Sequence, residues 1–286
     1  MQKLLLQLDS SVHPSVFDRV VAFDSGADQV MSYGSVTPDA VRDLVHGTLF
    51  TRAIPELRHT AIFIGGADMA TGERLLEAVR ATFFGPFSVS VMLDANGANT
   101  TAVAAVTRVR EVLGELRGLR AVVTAGSGPV GSRVAGLLAA EGVSVAVTSR
   151  RTPDGSLAAR LKHRFNAAVE ERRLGDGSDA LLALRDADII VNAGPAGVCV
   201  VPRAAWSGAR IVVDLNAVPP AGIEGVEPGD KAKDRDGVIC FGALGVGGLK
   251  MKLHRACISR LFERNDLVLD AESIASVAHE LSTLRP

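Results

Sequence analysis

The chain has little of what most nucleic-acid-binding proteins need. Aromatic residues make up 4% of its 286 residues, and 31 Lys or Arg residues stand against 32 Asp or Glu residues, which gives a net charge of −1. A nucleic-acid interface usually combines clustered positive charge with aromatic side chains on which bases stack. We therefore expect no nucleic-acid partner.

Cysteine is scarce, and no long hydrophobic run is present. Cys199, Cys240 and Cys257 are far apart and form no CxxC pair, which predicts reduced thiols. The histidines show no metal-ligand spacing, so no metal is expected. The apolar stretch 189–202 contains Asn, Gly and Pro and is shorter than a bilayer span, and residues 1–8 are too short for a signal-peptide core. A cytoplasmic location without a membrane partner is expected.

What the sequence does contain is a regular alternation of short apolar runs with helix-period segments. This pattern predicts an α/β fold with parallel sheets, and the length predicts two domains. The glycine-flanked segment 114–118 is the best linker candidate. We predict a first αβ domain over 1–117, a Rossmann-type dinucleotide-binding domain over 118–245, and C-terminal helices over 246–286 that pack on the first domain.

Individual elements can be predicted from the same pattern. Strands are expected at 4–8, 61–64, 87–93, 119–125 and 143–148, with a further strand and its exit loop at 188–197 and another strand at 211–216. The first helix is expected after Pro14, with Val16, Phe17, Val20 and Val21 together on one face.

A glycine-rich turn follows the predicted strand 119–125 and opens a helix. It reads Gly126, Ser127, Gly128, Pro129, Val130, Gly131 and fits the GxGxxG pattern of dinucleotide-binding domains. The first glycine permits the tight turn, the second lets the backbone approach a pyrophosphate, and the third allows close packing of helix on strand. Amide groups at the helix start then bind the anion. The pattern alone is weak, but its place between strand and helix makes it specific.

The next strand decides between the two nicotinamide dinucleotides. NAD enzymes place an Asp or Glu at its end to bind the ribose 2′-hydroxyl. Here Ser149, Arg150 and Arg151 occupy that place, and the first carboxylate is Asp154. Planar guanidinium groups match a phosphate, so the sequence predicts NADP, with NAD as a poorer substitute. The alternative is that these arginines are solvated loop residues.

Two further strand ends carry small or polar residues that should border the nicotinamide end of the cofactor. Asn192, Ala193 and Gly194 follow one strand, and Asp214 ends another. Small residues would let a flat ring lie against the backbone. Asn192 and Asp214 could equally be turn-forming residues.

Several long strings resemble the NADP-dependent methylene-tetrahydromethanopterin dehydrogenases of methylotrophic bacteria, over nearly the whole chain. The similar segments are 14–18, 33–34, 36–39, 92–101, 241–245 and 253–257. The resemblance implies oxidation of the methylene group of a reduced pterin to the methenyl state, with hydride passing to NADP, in one-carbon metabolism and formaldehyde oxidation. It also implies a homo-oligomer.

Candidate residues on the pterin side follow from this resemblance and from their places after predicted strands. Asp94, Asn96, Asn99 and Thr100 join a strand to a helix, and Asn99 or Thr100 could instead only cap that helix. Asp9 and Asp18 are weaker candidates, because turns and surface helix positions accept Asp readily. Lys250 follows a glycine-rich turn and is the candidate catalytic residue, acting by position and charge, although it could equally be a solvated helix residue. His254, alone on a helix, is expected to be packed or solvated.

Rival functions remain at this point. Folate-linked methylene dehydrogenases that are also cyclohydrolases use a Tyr-x-x-x-Lys pair, whereas Thr37 stands four residues after Tyr33. This departure counts against cyclohydrolase activity. Methylene-tetrahydrofolate dehydrogenase, with or without cyclohydrolase activity, stays an alternative. Shikimate-type dehydrogenases share the string around Asn192 but need a Lys and Asp pair that the first half does not show. A non-catalytic NADP-binding sensor is the third alternative.

Overall fold

The computed structural model describes residues 1–175 and 179–283. The chain forms two compact units, one of residues 1–100 with the chain from Met251 onward, and one of Thr101–Lys250. It leaves the first unit within helix α4 (Ala98–Leu113) and returns within helix α8 (Ala243–Arg260). The predicted boundary at 117 lies in the loop after α4, whereas the structure divides the units inside α4. The predicted boundary at 245 and the glycine-rich turn predicted before Lys250 both lie within α8, so that turn is wrong: its glycines are part of a helix.

The first unit is built on a parallel sheet of five described strands. Its order is β12-β4-β3-β1-β2. The strands are β1 (Leu4–Asp9), β2 (Gln29–Tyr33), β3 (Thr60–Gly65), β4 (Ser90–Leu93) and β12 (Val268–Leu269). The helices that complete this unit beside parts of α4 and α8 are α1 (Val16–Asp24), α2 (Val41–Leu49), α3 (Met69–Thr82) and α9 (Ala271–Thr283). The returning C-terminal segment thus adds an edge strand to this sheet.

The second unit has a sheet of seven described strands in the order β10-β11-β9-β8-β5-β6-β7. These are β5 (Arg120–Thr124), β6 (Ser144–Ser149), β7 (Val169–Arg173), β8 (Ile189–Asn192), β9 (Ile211–Asp214), β10 (Lys231–Arg235) and β11 (Val238–Phe241). Its helices include α5 (Pro129–Ala140), α6 (Ser156–Phe165) and α7 (Ala180–Ala183). All pairs are parallel except β10 with β11. Without β10, this is the 3-2-1-4-5-6 order of a Rossmann sheet, so the predicted fold class is confirmed.

The central strands are apolar because helices cover both faces of a parallel sheet. Every residue of β3, β8 and β9 is buried. The edge strands β7 and β10 are rich in charged residues. Strand β10 is almost entirely exposed, and β7 contains exposed and partly buried residues. This difference in burial explains why a pattern of apolar residues predicts the central strands but does not predict β7 or β10.

Of the four apolar residues predicted to share one face of α1, only Val21 is buried. Val16, Phe17 and Val20 are 75%, 51% and 53% exposed, and the buried residues are Val21 and Ala22. In this short helix apolar residues lie on two faces, so periodicity alone could not tell which face packs. The helix is capped by Ser15, whose Oγ accepts a hydrogen bond from the amide of Asp18 at 3.1 Å.

The three thiols lie in different surroundings. Cys240 and Cys257 are fully buried, whereas Cys199 is exposed. Burial raises the pKa of Cys240 to about 11 and the pKa of Cys257 to about 12, with a smaller contribution at Cys257 from the charge of Asp94. No helix in the described part of the chain has the length and hydropathy of a membrane span.

Candidate functional site

The glycine-rich loop between β5 and α5 is shaped by close packing at its first and third glycines. A Cβ atom on Gly126 would lie 2.6 Å from Cβ of Val147, and one on Gly131 would lie 2.6 Å from the carbonyl oxygen of Ala125. At Gly128 the nearest atom is that same oxygen, at 3.3 Å. The first and third glycines are therefore needed by the protein itself, while the second leaves room for a ligand.

The start of α5 presents backbone amides and no competing side chain. Gly128 is the N-cap residue, no side chain caps it, and Pro129 follows at the first helical position. The amide of Gly128 donates to the carbonyl of Ala125 at 2.9 Å, and Ala125 has a φ of 51°, which is unfavourable for a residue with a side chain. The first amides of a helix have no partner within it, so those of Val130 and Gly131 can bind an anion.

At the end of β6, arginine side chains stand where an NAD enzyme has a carboxylate. Arg150 and Arg151 are exposed, and the hydroxyl of Ser149 donates to the carbonyl of Arg151 at 3.2 Å. Asp154 accepts a hydrogen bond from the amide of Ser156 at 2.9 Å. Hydrogen bonds from Ser156 lower the pKa of Asp154, so this carboxylate is engaged at the start of α6.

Polar side chains at the ends of β5, β8 and β9 form a buried network. Thr124 Oγ1 donates to Asn192 Oδ1 at 2.5 Å, and Asn192 Nδ2 donates to Asp214 Oδ1 at 2.8 Å. The amide of Gly194 donates to Asn192 Oδ1 at 3.1 Å, and that of Ile223 donates to Asp214 Oδ2 at 3.0 Å. The network thus fixes two loops at the carboxyl edge of the sheet.

This network defines what the predicted residues at this edge can do. Asn192 and Asp214 are 0% and 1% exposed, and their side chains bind other parts of the protein. Ala193 and Gly194 are half-buried on the loop that Asn192 holds. A cofactor at this edge would therefore meet the backbone of Ala193 and Gly194, with Asn192 and Asp214 as positioning residues.

In the first unit, the turn between β4 and α4 is organised by Asp94. Its two carboxylate oxygens accept hydrogen bonds from Thr100, from the amide at 2.9 Å and from Oγ1 at 2.6 Å. Asn99 Nδ2 donates to the carbonyl of Leu93 at 2.6 Å. All three residues are buried, so Thr100 and Asn99 hold the turn and fix the Asp94 carboxyl group inside this unit.

His254 lies beside this carboxylate and is the residue that sequence reasoning missed. It is fully buried, as expected of a packed histidine, and its ring stacks on Phe63 with centroids 5.5 Å apart. Its Nδ1 is 3.9 Å from Asp94 Oδ2 and its Nε2 is 4.0 Å from Asp18 Oδ1. The three residues come from distant parts of the chain, so no local motif indicates that they meet.

The remaining candidates have less defined surroundings. Asp9 is buried at the end of β1, where it accepts hydrogen bonds from the amides of Ser11 at 2.7 Å and Ser15 at 3.1 Å. Asn96 has a φ of 54° in the turn after Asp94. Lys250 is half-buried in α8, where the second unit ends. Among the described residues, no group of three His, Cys, Asp or Glu side chains could hold a metal ion.

Comparison with known proteins identifies the family. Residues 16–96 match the model of the N-terminal domain of methylene-tetrahydromethanopterin dehydrogenase. The chain is 49% identical to the bifunctional protein MdtA of Methylorubrum extorquens, over 98% of this chain and 99% of that protein. The chain belongs to the methylene-tetrahydromethanopterin dehydrogenase family. It is also 29% identical to the NAD(P)-dependent methylenetetrahydromethanopterin dehydrogenase of the same organism, over 98% of this chain and 99% of that one.

Solved structures place this family member within a wider fold group. The structure of shikimate 5-dehydrogenase from Listeria monocytogenes, in complex with shikimate and NAD, matches this chain with a TM-score of 0.53 and 12% sequence identity. The match covers 98% of this chain and 96% of the other. At that identity the likeness concerns the fold alone.

The residues of this dehydrogenase fit a dinucleotide phosphate on structural grounds. Gly128 leaves space for a phosphate group in front of the uncapped start of α5. The guanidinium groups of Arg150 and Arg151 lie exposed after β6.

Proposed function

We propose that this protein is an oxidoreductase that transfers a hydride from the methylene group of methylene-tetrahydromethanopterin to NADP and leaves the methenyl form. The observation that carries the proposal is the strand-turn-helix cradle at Gly126–Gly131, followed by Ser149, Arg150 and Arg151 at the next strand end. This cradle occurs in a chain whose first unit matches the N-terminal domain of the family.

The chemistry explains why a proton-transfer machinery is not needed. The one-carbon unit bridges two nitrogen atoms, and loss of hydride leaves a cation delocalised over N-C-N. When bound, NADP supplies the hydride acceptor, C4 of its nicotinamide ring. The protein's task is to orient the two reactants, exclude water that would hydrolyse the cation, and stabilise positive charge.

In the second unit, each group of residues has a separate part in holding the cofactor. The amides at the start of α5 bind the pyrophosphate, with Gly128 allowing its approach. Ser149, Arg150 and Arg151 bind the 2′-phosphate. Asn192 and Asp214 hold the 193–194 backbone in place for the nicotinamide end.

In the first unit, carboxylates provide the electrostatics on the pterin side. Asp94, which is buried, and Asp18, which is partly buried, flank His254, and Asp94 is held by Thr100. An ionised carboxylate in a region of low dielectric favours a substrate that becomes cationic. Asp9, Asn96 and Asn99 shape the strand ends of this unit. Lys250, the last residue of the second unit, orients the pterin.

A second carrier also has support. The relative from Methylorubrum extorquens that is 49% identical is named bifunctional. Tetrahydrofolate and tetrahydromethanopterin share the reacting centre, so methylene-tetrahydrofolate is the second candidate substrate.

The reaction can be tested with purified protein by following NADPH at 340 nm with each methylene carrier, and with NAD in place of NADP. We expect the highest kcat/KM with methylene-tetrahydromethanopterin and NADP. Absence of NADPH formation with both carriers would contradict the proposal, and a higher kcat/KM with the folate carrier would establish the alternative.

The cofactor assignment has its own test. Replacing Arg150 and Arg151 together with Ala should raise KM for NADP and leave KM for NAD nearly unchanged, because only NADP carries the extra phosphate. Steady-state kinetics with both cofactors measures the effect. An equal rise for both would show that these arginines do not read the 2′-phosphate.

Assembly and location complete the proposal. We propose a cytoplasmic homo-oligomer, as membership of this family implies. Light scattering coupled to size-exclusion chromatography tests the assembly, and a monomeric mass at micromolar concentration would contradict it.

A further inference from the structure

A third arginine reaches the cofactor cradle from helix α6. Arg160 lies in the second turn of α6, outside both the glycine motif and the end of β6. Its Nη2 donates a hydrogen bond to the carbonyl oxygen of Ser127 at 3.1 Å. Ser127 is the residue between Gly126 and Gly128, so the Arg160 guanidinium is held against the loop that opens α5.

The surrounding segment is strongly cationic in a protein of net charge −1. Residues 149–164 contain Arg150, Arg151, Arg160, Lys162 and Arg164 against a single carboxylate, Asp154. Asp154 accepts a hydrogen bond from the amide of Ser156 at the start of α6. A concentration of positive charge at one strand end and the following helix favours an anionic ligand there.

Arg160 has further N–H groups that can donate hydrogen bonds to an anionic ligand. A guanidinium carries five N–H donors in a planar fork. Within residues 1–175 and 179–283, the guanidinium group of Arg160 donates a hydrogen bond to one acceptor, the carbonyl oxygen of Ser127. The bond therefore fixes the position of the group and leaves the other N–H groups for phosphate oxygens.

We propose that Arg160 binds the 2′-phosphate of NADP together with Arg150 and Arg151, and is a specificity-determining residue for NADP over NAD. This inference rests on the proposed use of NADP. It adds a contact from α6 to the 2′-phosphate, beyond those of the glycine motif and the end of β6.

Two ligands without a nicotinamide ring separate this role from catalysis. Adenosine 2′,5′-bisphosphate carries the 2′-phosphate and adenosine 5′-monophosphate does not, and calorimetry gives Kd for each. In Arg160→Ala we expect Kd for the bisphosphate to rise about tenfold or more, as loss of a charge-assisted bond predicts, with Kd for the monophosphate nearly unchanged. In kinetics, KM for NADP should rise while kcat and KM for NAD stay the same.

Lys162→Ala is the matched control. Lys162 is an exposed cation on the same helix, two residues further, which places it about 200° around the helix axis from Arg160. It should leave both Kd values within about twofold, because it lies on the far side of the helix. An equal loss in Lys162→Ala would show a diffuse charge effect and overturn the specific role.

The remaining outcomes are also decisive. If Arg160→Ala weakens both ligands equally, the arginine only supports the loop through Ser127, and the inference is wrong. If Arg160→Ala changes neither Kd while the unaltered protein prefers the bisphosphate, Arg160 is not a contact and the use of NADP stands. If the unaltered protein does not distinguish the ligands, the proposed NADP preference itself fails.

Discussion

At the scale of single residues, the carboxylate of Asp94 shows what a sequence can and cannot reveal. Its place after a predicted strand made it a candidate, and the structure locates it buried at that strand end. Its neighbour His254 comes from helix α8 and Asp18 from helix α1. Contacts between residues so distant in the chain depend on the tertiary fold, so the sequence offers Asp94 and, more weakly, Asp18 as candidates but does not show that they meet at His254.

Lys250 permits a test of mechanism at the same scale. Lys250→Met should weaken use of the pterin substrate and leave kcat/KM nearly independent of pH between about 6 and 9, because hydride transfer moves no proton and Lys and carboxyl groups ordinarily titrate outside that range. Steady-state kinetics of the variant and the unaltered enzyme across this range measures both effects.

Two results would contradict this mechanism. One is a bell-shaped profile in the unaltered enzyme that Lys250→Met abolishes, which would make Lys250 an essential acid or base. The other is hydrolysis of the methenyl product above the spontaneous rate, which would indicate cyclohydrolase activity.

At the scale of elements, the three glycines before and within α5 have separable roles. Gly131→Ala should lower the thermal midpoint, because the new Cβ would lie 2.6 Å from the carbonyl of Ala125. Gly128→Val should lower the midpoint less than Gly131→Ala, because its Cβ would lie 3.3 Å from the same oxygen. It should abolish the rise that NADP causes in the unaltered protein, because its side chain takes the space of the pyrophosphate. Differential scanning fluorimetry with and without NADP measures both. A Gly128→Val protein that NADP still stabilises would contradict this role.

The elements that could be predicted are those with buried, apolar sequences. Strands β1, β3, β5 and β6 were predicted to within one or two residues at each end, because continuous apolar runs are typical of strands covered on both faces. Strand β2 carries both exposed and buried residues and was not predicted. Helix α1 was predicted as an element, but its packing face could not be chosen, because that depends on neighbours from other parts of the chain.

At the scale of the whole molecule, the first unit is discontinuous in the chain. Strand β12 pairs with β4 through Val268 and Val91, and the amide of Val91 donates to the carbonyl of Leu267 at 2.8 Å. The first unit therefore needs residues from both ends of the sequence, and a chain that ends before α8 would lack one edge of this sheet.

The unequal burial of the thiols makes the native protein a single-site labelling target. Only the thiolate reacts with maleimides or disulfide reagents, and the raised pKa values of Cys240 and Cys257 keep these two thiols protonated at pH 8. Ellman titration should count one reactive thiol in the folded protein and three after denaturation. More than one in the folded state would contradict the burial. A fluorophore on Cys199, in the loop after β8, would then report cofactor binding without any substitution.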